Sequence, residues 1–96
     1  MYIKKMFTVT ESTPPIAEVP YLVLREGPQT IKAVGLANGT EHELSASINE
    51  VERITHSTGT FAVRGFMTES DSQVTTPLLG IINLEDDNKT AMFLSL

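Results

Sequence analysis

The sequence contains no cysteine, no tryptophan and few basic residues. The lack of cysteine excludes disulfides, thiol chemistry and cysteine-ligated zinc. Seven lysines and arginines against twelve acidic residues leave a net charge of −5. This charge argues against binding to a nucleic-acid backbone, which requires a basic face. Aromatic residues make up only 6% of the chain, which disfavours a carbohydrate site because such sites use aromatic stacking surfaces.

Long hydrophobic runs are also missing. Lys4 and Lys5 are followed by an apolar run of only four residues, 6–9, whereas the core of a secretory signal has about 7–15. No stretch approaches the roughly 20 apolar residues of a membrane helix. We therefore expect a protein made in a cytosol, with no membrane partner.

The length of 96 residues predicts a single domain, residues 1–96. A chain of this size buries only about 60–65% of its unfolded surface, so contacts with other subunits would add to its stability. The charge is uneven, because residues 1–48 carry four bases and five acids, whereas residues 49–96 carry three bases and seven acids. This division predicts one acidic side on the domain.

The abundant residues are β-branched: twelve Thr, seven Val and seven Ile. Such side chains fit a pleated sheet, and the apolar runs are short and bounded by Gly, Pro, Asn or Ser. The sequence therefore predicts an all-β fold, a small sandwich or partly open barrel of six to eight short antiparallel strands. At most one short helix is expected, near residues 49–54, where a bulged corner is the alternative.

The clearest local signal is a hairpin over residues 30–48, because Asn38-Gly39 is a preferred pair for a two-residue type I′ loop. This loop pairs Ala37 with Thr40 and continues the register along both strands. The predicted core face comprises Ile31, Ala33, Gly35, Ala37, His42, Leu44, Ala46 and Ile48. Val34 and Leu36 lie on the other face, opposite two glutamates, and are candidates for a contact surface.

Further strands are predicted over residues 2–10, 21–25, 60–68, 74–84 and 91–96. The segment 21–25 is apolar on both faces, which indicates burial by its own domain or by another subunit. The segment 74–84 is expected to be a strand pair broken or bent at Pro77. Polar residues 69–73 predict a surface loop.

Residues 1–20 form a candidate extended N-terminal arm, because the Pro-rich connector that follows the first strand cannot donate to a ladder. Such an arm would add a strand to another subunit through main-chain hydrogen bonds. The predicted interface positions are Tyr21, Val23, Val34, Leu36, Pro14, Pro15 and Ile16.

No motif for catalysis or for a cofactor is found. The glycines match neither the dinucleotide nor the phosphate-loop spacing, and His56-Ser57 with Asp71 or Glu69 is not a triad by adjacency alone. No catalytic and no cofactor-binding residue is therefore predicted, and the protein is expected not to be an enzyme.

No metal site is predicted either. Glu41 and Glu43 point away from His42 on a strand, so the three side chains cannot converge on one ion. The run of residues 85–88 (Glu85, Asp86, Asp87, Asn88) lacks the ligand spacing and the central Gly of a calcium loop, which favours a solvated turn.

In size, strand content, threonine content and acidity, the chain resembles the small accessory proteins of tailed-phage virions, of the decoration, head-fibre or head–tail joining type. This resemblance implies a non-enzymatic structural protein of a bacteriophage virion that acts through subunit contacts. Its partners would be copies of itself, a capsid protein or a connector protein, and it would be located in the virion. The alternatives are a small acidic inhibitor or regulatory module that targets a basic protein surface, with a cytoplasmic location, and a ligand-binding domain.

Overall fold

Six antiparallel strands close into a barrel in the computed structural model, which describes residues 2–85, 87 and 89–96. Each strand pairs with its neighbours in the chain, and the last strand pairs with the first. The elements are β1 (Lys5–Thr13), α1 (Val19–Glu26), β2 (Gln29–Ala37), β3 (Thr40–Arg53), β4 (Thr60–Glu69), β5 (Thr75–Asn83) and β6 (Thr90–Ser95). The expected small all-β domain is therefore confirmed, and a closed barrel is its form.

The register shows how the barrel closes. Phe7 of β1 pairs with Phe93 of β6, and paired residues can be followed from strand to strand around the ring. One such circuit begins at Glu41 in β3 and returns to β3 at Glu52, eleven positions further along (41 to 52). A stagger of this kind means that the strands are tilted relative to the barrel axis.

Alternate residues of every strand point into the barrel and fill it. Phe7, Phe61 and Phe93 are fully buried there. The hairpin predicted around Asn38-Gly39 is confirmed, with Ala37 paired to Thr40. Its predicted core face is buried apart from His42, which is half-buried.

The segment 21–25 belongs to the helix α1, so the strand predicted there is wrong. Pro20 lies in the first turn of the helix, where a backbone N–H has no carbonyl partner within the helix. The N–H that proline lacks therefore costs no helical hydrogen bond. Val19 and Val23, four residues apart, are both buried in the core. The helix ends at Gly27, which has a φ of 96° and whose N–H donates to the Val23 carbonyl. No helix among the described residues is long and apolar enough to span a bilayer.

The helix considered near residues 49–54 is also wrong, because β3 continues to Arg53. A register shift between Ile48 and Glu50 makes this segment the bulged alternative. In β5, Pro77 does not break the strand. It lies just before Leu78, where the pairing with β6 begins, so its missing N–H removes no bond from that ladder.

Part of the candidate N-terminal arm belongs to the barrel. Residues 5–13 are β1, which pairs with β2 on one side and with β6 on the other. The Thr13-Pro14 peptide is cis, and the segment that follows leads into α1. Residues 5–13 are therefore a barrel strand and not the extended arm predicted for them.

The tightest backbone approach in the barrel predicts a stability change. Gly65 faces Ile48 beside the bulge, and a Cβ on Gly65 would overlap the carbonyl oxygen of Ser47. We expect Gly65→Ala to lower the free energy of unfolding by about 2–3 kcal/mol, since main chain must move to admit the methyl group. Urea denaturation measures this, with Ser47→Ala as a control expected to change stability by less than about 0.5 kcal/mol. A wild-type midpoint for Gly65→Ala would contradict the packing described here.

Candidate interaction surface

The central outward positions of β5 and β6 are apolar, although they face away from the core. Ile81 of β5 is 46% exposed and Met92 of β6 is 40% exposed. Leu79 and Leu94 lie one step further along the same faces and are half-buried. Both strands are therefore apolar on the outside as well as on the inside.

The register joins these side chains to apolar residues on the neighbouring strands. Leu94 is paired with Met6 of β1 on one side and with Leu79 on the other. Directly opposite residues have Cβ atoms about 4.5–5.5 Å apart, so the side chains of such a row are in contact range. Phe66 of β4, which is 50% exposed, is paired with Pro77 of β5.

The result is a largely apolar outer surface, which we call the apolar face and which is interrupted by Arg64 on β4 and by Thr8 on β1. It comprises Met6, Leu36, Ala62, Phe66, Pro77, Leu79, Ile81, Met92, Leu94 and Leu96. A shallow groove of about 360 Å³ crosses it between β4 and β5, lined by Phe66, Pro77, Leu79 and Leu96 among others. Two charged residues also line this groove, Arg64 on β4 and its cross-strand neighbour Glu50 on β3.

The opposite side of the barrel is acidic, in contrast to the apolar face. In a ring of six strands β3 lies three places from β6 in both directions. The outward residues of β3 include the exposed Glu41, Glu43, Glu50 and Glu52, which we call the acidic row. No salt bridge joins any of these four to another residue in the part of the chain that the structure describes. The barrel is thus amphipathic across its width.

A second polar feature lies at the barrel end where β1 begins and β4 ends. Lys5 Nζ lies 3.1 Å from Glu69 Oε1, and His42 Nδ1 lies 3.8 Å from Glu69 Oε2 and 3.9 Å from Asp71 Oδ2. The His42 ring also meets Phe7 edge-on, with centroids 5.6 Å apart. At these distances the buried Nδ1 atom makes no hydrogen bond within the described part of the chain.

This polar end does not assemble a metal site. Within residues 2–85, 87 and 89–96, no group of three or more His, Asp or Glu side chains is arranged to hold an ion. As the alternation predicted, Glu41 and Glu43 are exposed on the outer face while His42 is turned towards Phe7. The predicted turn at residues 85–88 includes Asp86 and Asn88, which lie outside the described residues.

The Ser57 hydroxyl, considered above as a nucleophile, makes hydrogen bonds within its own loop. Ser57 Oγ donates to the Ile54 carbonyl oxygen at 2.8 Å and accepts from the Thr60 N–H at 3.3 Å. These bonds hold the loop between β3 and β4. The neighbouring His56 is exposed and has a φ of 66°.

The interface positions predicted from the sequence are spread over the molecule. Val23 is only 8% exposed and packs in the barrel's own core, so it is not available to another subunit. Tyr21 is 47% exposed on α1, where its ring meets Phe61 edge-on. Val34 is half-buried beside Glu43, and Leu36 lies at the border of the apolar face.

The three connector positions differ among themselves. Pro15 is exposed, Pro14 is half-buried, and Ile16 packs against the core. Of the seven predicted positions, the fold therefore brings only Leu36 to the apolar face.

A usable signal for the apolar face was present in the sequence. The segments that became β5 and β6 have apolar residues at consecutive positions, as in Leu78-Leu79 and Ile81-Ile82. A strand of that kind is covered on both sides. The same rule also predicted a doubly covered strand over residues 21–25, but that segment forms a helix.

Comparison with protein-family models, curated proteins and solved structures finds no match to this chain.

His42 Nδ1 makes no hydrogen bond to any of the described residues, and this predicts the effect of replacing the side chain. His42→Leu replaces a buried polar atom that lacks a hydrogen bond with an apolar group of similar size. We expect the free energy of unfolding to stay the same or rise by about 1 kcal/mol, because an unsatisfied buried polar atom costs about 1–3 kcal/mol.

Equilibrium unfolding in urea tests this, with Leu44→Ala as the comparison, since truncation of that core side chain is expected to cost about 2–5 kcal/mol. A loss of more than about 1 kcal/mol in His42→Leu would mean that Nδ1 has a partner in solution, such as an ordered water.

Proposed function

We propose that this protein is a non-enzymatic assembly protein that binds other protein subunits through its apolar face. The observation that carries the proposal is the extent of that face. Ten uncharged residues, nine from five strands and Leu96 directly after β6, lie on the outside of a barrel whose interior is already filled, with Met6, Leu94 and Leu79 in one unbroken row. Large contiguous apolar patches of this kind mark protein contact sites in soluble proteins.

The closed barrel also determines how binding would occur. Every strand has a hydrogen-bonded neighbour on both sides, so there is no free edge for an added strand. Association must therefore join side-chain surfaces, and burial of apolar area supplies about 25 cal/mol for each Å² removed from water. This mode differs from the strand-adding arm considered from the sequence.

The proposed setting is a bacteriophage virion, in which the protein would be bound to a capsid or connector as a decoration, head-fibre or joining subunit. The support for this setting is the resemblance in size, strand richness, threonine content and acidity. An amphipathic barrel fits the role, since one side can seat on a particle while the acidic row faces solvent. A protein acting in the host cytoplasm through the same face is the alternative location.

Site-specific photo-crosslinking tests whether the apolar face contacts protein. A benzophenone amino acid placed at Phe66 should give crosslinked products of defined mass in cells that contain the natural partners. The matched control is the same amino acid at Tyr21, an aromatic residue of similar exposure on α1: 47% against 50%. Products should form at position 66 and not at position 21, since only Phe66 lies on the apolar face.

Two other outcomes of this experiment would contradict the proposal. Products at position 21 alone would favour the surface predicted from the sequence and contradict the use of the apolar face. The absence of products at both positions would contradict the proposed function itself. In the virion setting, the mass spectrum of the product should in addition identify a particle protein or a second copy of the chain.

The second candidate function is a small acidic module that binds a basic protein surface. The acidic row favours it, because four exposed carboxylates on one strand form no salt bridge with described residues. Close charge pairs across an interface give specificity and a fast, salt-dependent association.

Charge reversal tests whether binding depends on the acidic row itself or only on the net charge of the protein. Binding to immobilised cytochrome c, a basic protein, should fall strongly in Glu43→Lys/Glu52→Lys if the acidic row is the docking site. The control Glu18→Lys/Asp87→Lys changes the net charge by the same amount at two exposed positions outside β3. Equal losses in the two variants would reduce the effect to net charge and contradict this second candidate.

A further inference from the structure

We infer that the apolar face binds the same face of a second copy of this chain, in a two-fold symmetric dimer. This inference rests on the proposed function, and it names the partner of the same surface. It uses three properties of the described residues: the chemistry of the apolar face, the position of the charges and the size of the patch.

The chemistry of the face calls for an uncharged partner. The strands beneath it are hydrogen-bonded to a neighbour on both sides, and its side chains are those of Met, Leu, Ile, Phe, Pro and Ala. Its central residues, Met6, Leu79, Ile81, Met92 and Leu94, are uncharged, so a second copy supplies a matching apolar surface there. Arg64 is paired with Leu79 on one side and with Glu50 on the other, and it bounds this uncharged part on β4.

The position of the charges supports the same arrangement. The chain has a net charge of −5, so two copies repel each other over much of their surface. The acidic row lies on the side opposite β6. Contact centred on β6 therefore places the two β3 strands on the far sides of the two molecules, each of which extends 26–28 Å along its shorter axes. That separation is several Debye lengths, about 8 Å each at physiological ionic strength.

The same geometry excludes a head-to-tail stack. In such a stack the apolar face of one copy would cover the acidic row of the next, and carboxylates without cationic partners would lose their water. A two-fold contact avoids this, because residue i meets residue j and residue j meets residue i on identical surfaces. The association therefore closes at two copies and does not grow into a filament.

The size of the face fits the centre of a dimer interface. With strands about 4.8 Å apart and same-face residues about 6.7 Å apart, the part of the apolar face on β5, β6 and β1 spans about 10 Å by 15 Å of backbone, and the residues on β2 and β4 lie where the closed ring curves away. A standard interface buries about 800 Å² on each partner, with an apolar core and a polar rim. The neighbouring outward residues of the same strands, Thr8, Thr68, Thr75, Asn83 and Thr90, would form that rim.

Analytical ultracentrifugation over a concentration series tests the inference. The wild-type protein should sediment as a species of twice the 10.5 kDa chain mass. Ile81→Asp and Met92→Asp should each sediment as monomers, because they place an unpaired carboxylate in the apolar contact. Leu24→Asp, at a 58% exposed apolar position on α1, should remain a dimer. Circular dichroism melts on all variants establish that they are folded.

A second measurement does not depend on destabilising the dimer. The chain has no cysteine, so a single introduced thiol can form a disulfide only with another copy. Leu94 lies at the centre of the apolar face, near the expected two-fold axis, and Leu94→Cys should form a covalent dimer on mild oxidation. The control Leu24→Cys, at the exposed position on α1, should stay largely monomeric.

Several outcomes would overturn the dimer. They are a wild-type protein that remains monomeric up to about 100 µM, where interfaces of micromolar affinity are populated, dissociation by Leu24→Asp, and equal crosslinking at positions 24 and 94. If the purified protein is monomeric while photo-crosslinking at position 66 captures a different protein, the inference fails and the proposed function stands. If neither association is found, both fail.

Discussion

The pairing of β1 with β6 is the constraint on which the rest of the structure depends. It joins residues more than 80 positions apart, such as Phe7 and Phe93, and converts a six-strand meander into a closed ring. Closure leaves no strand with unpaired backbone groups on one side. It also sets the stagger of the strands, and the stagger decides which outward residues become neighbours. Without this pairing, Met6 and Leu94 would lie on separate edges.

Closure has a second effect on the distribution of polarity. The interior of a six-stranded barrel is narrow and is filled by the inward residues of all strands, with Val19 and Val23 of α1 added at one end. The apolar residues that remain on β5 and β6 therefore have no place inside. They lie on the surface opposite the acidic row, and the barrel acquires an apolar side and a charged side. The acidic residues are thus most concentrated on one strand, β3, whose glutamates come from both halves of the sequence.

Local patterns predicted those parts of the fold that local physics decides. The Asn38-Gly39 turn accommodates positive φ at both residues, 52° and 76°, and so its register followed from the sequence alone. The strand around Val63 followed from strict alternation. By contrast, the run from Tyr21 to Leu24 is four apolar residues long, and periodicity does not separate a strand from a buried helix turn at that length. Pro20 and Gly27, at the two ends, marked the helix.

The sequence by itself determined the all-β class, the central hairpin and its inward face, because alternation and turn chemistry are properties of neighbouring residues. It also indicated which strands are apolar on both faces, but it did not indicate what covers their outer faces. Only the tertiary structure decided the apolar face, since Met6, Leu79, Leu94 and Phe66 come from four strands that meet through the register of a closed ring. The physical reason is that a surface patch is made by cross-strand neighbours, and cross-strand neighbours across β1 and β6 follow from closure and not from any local pattern.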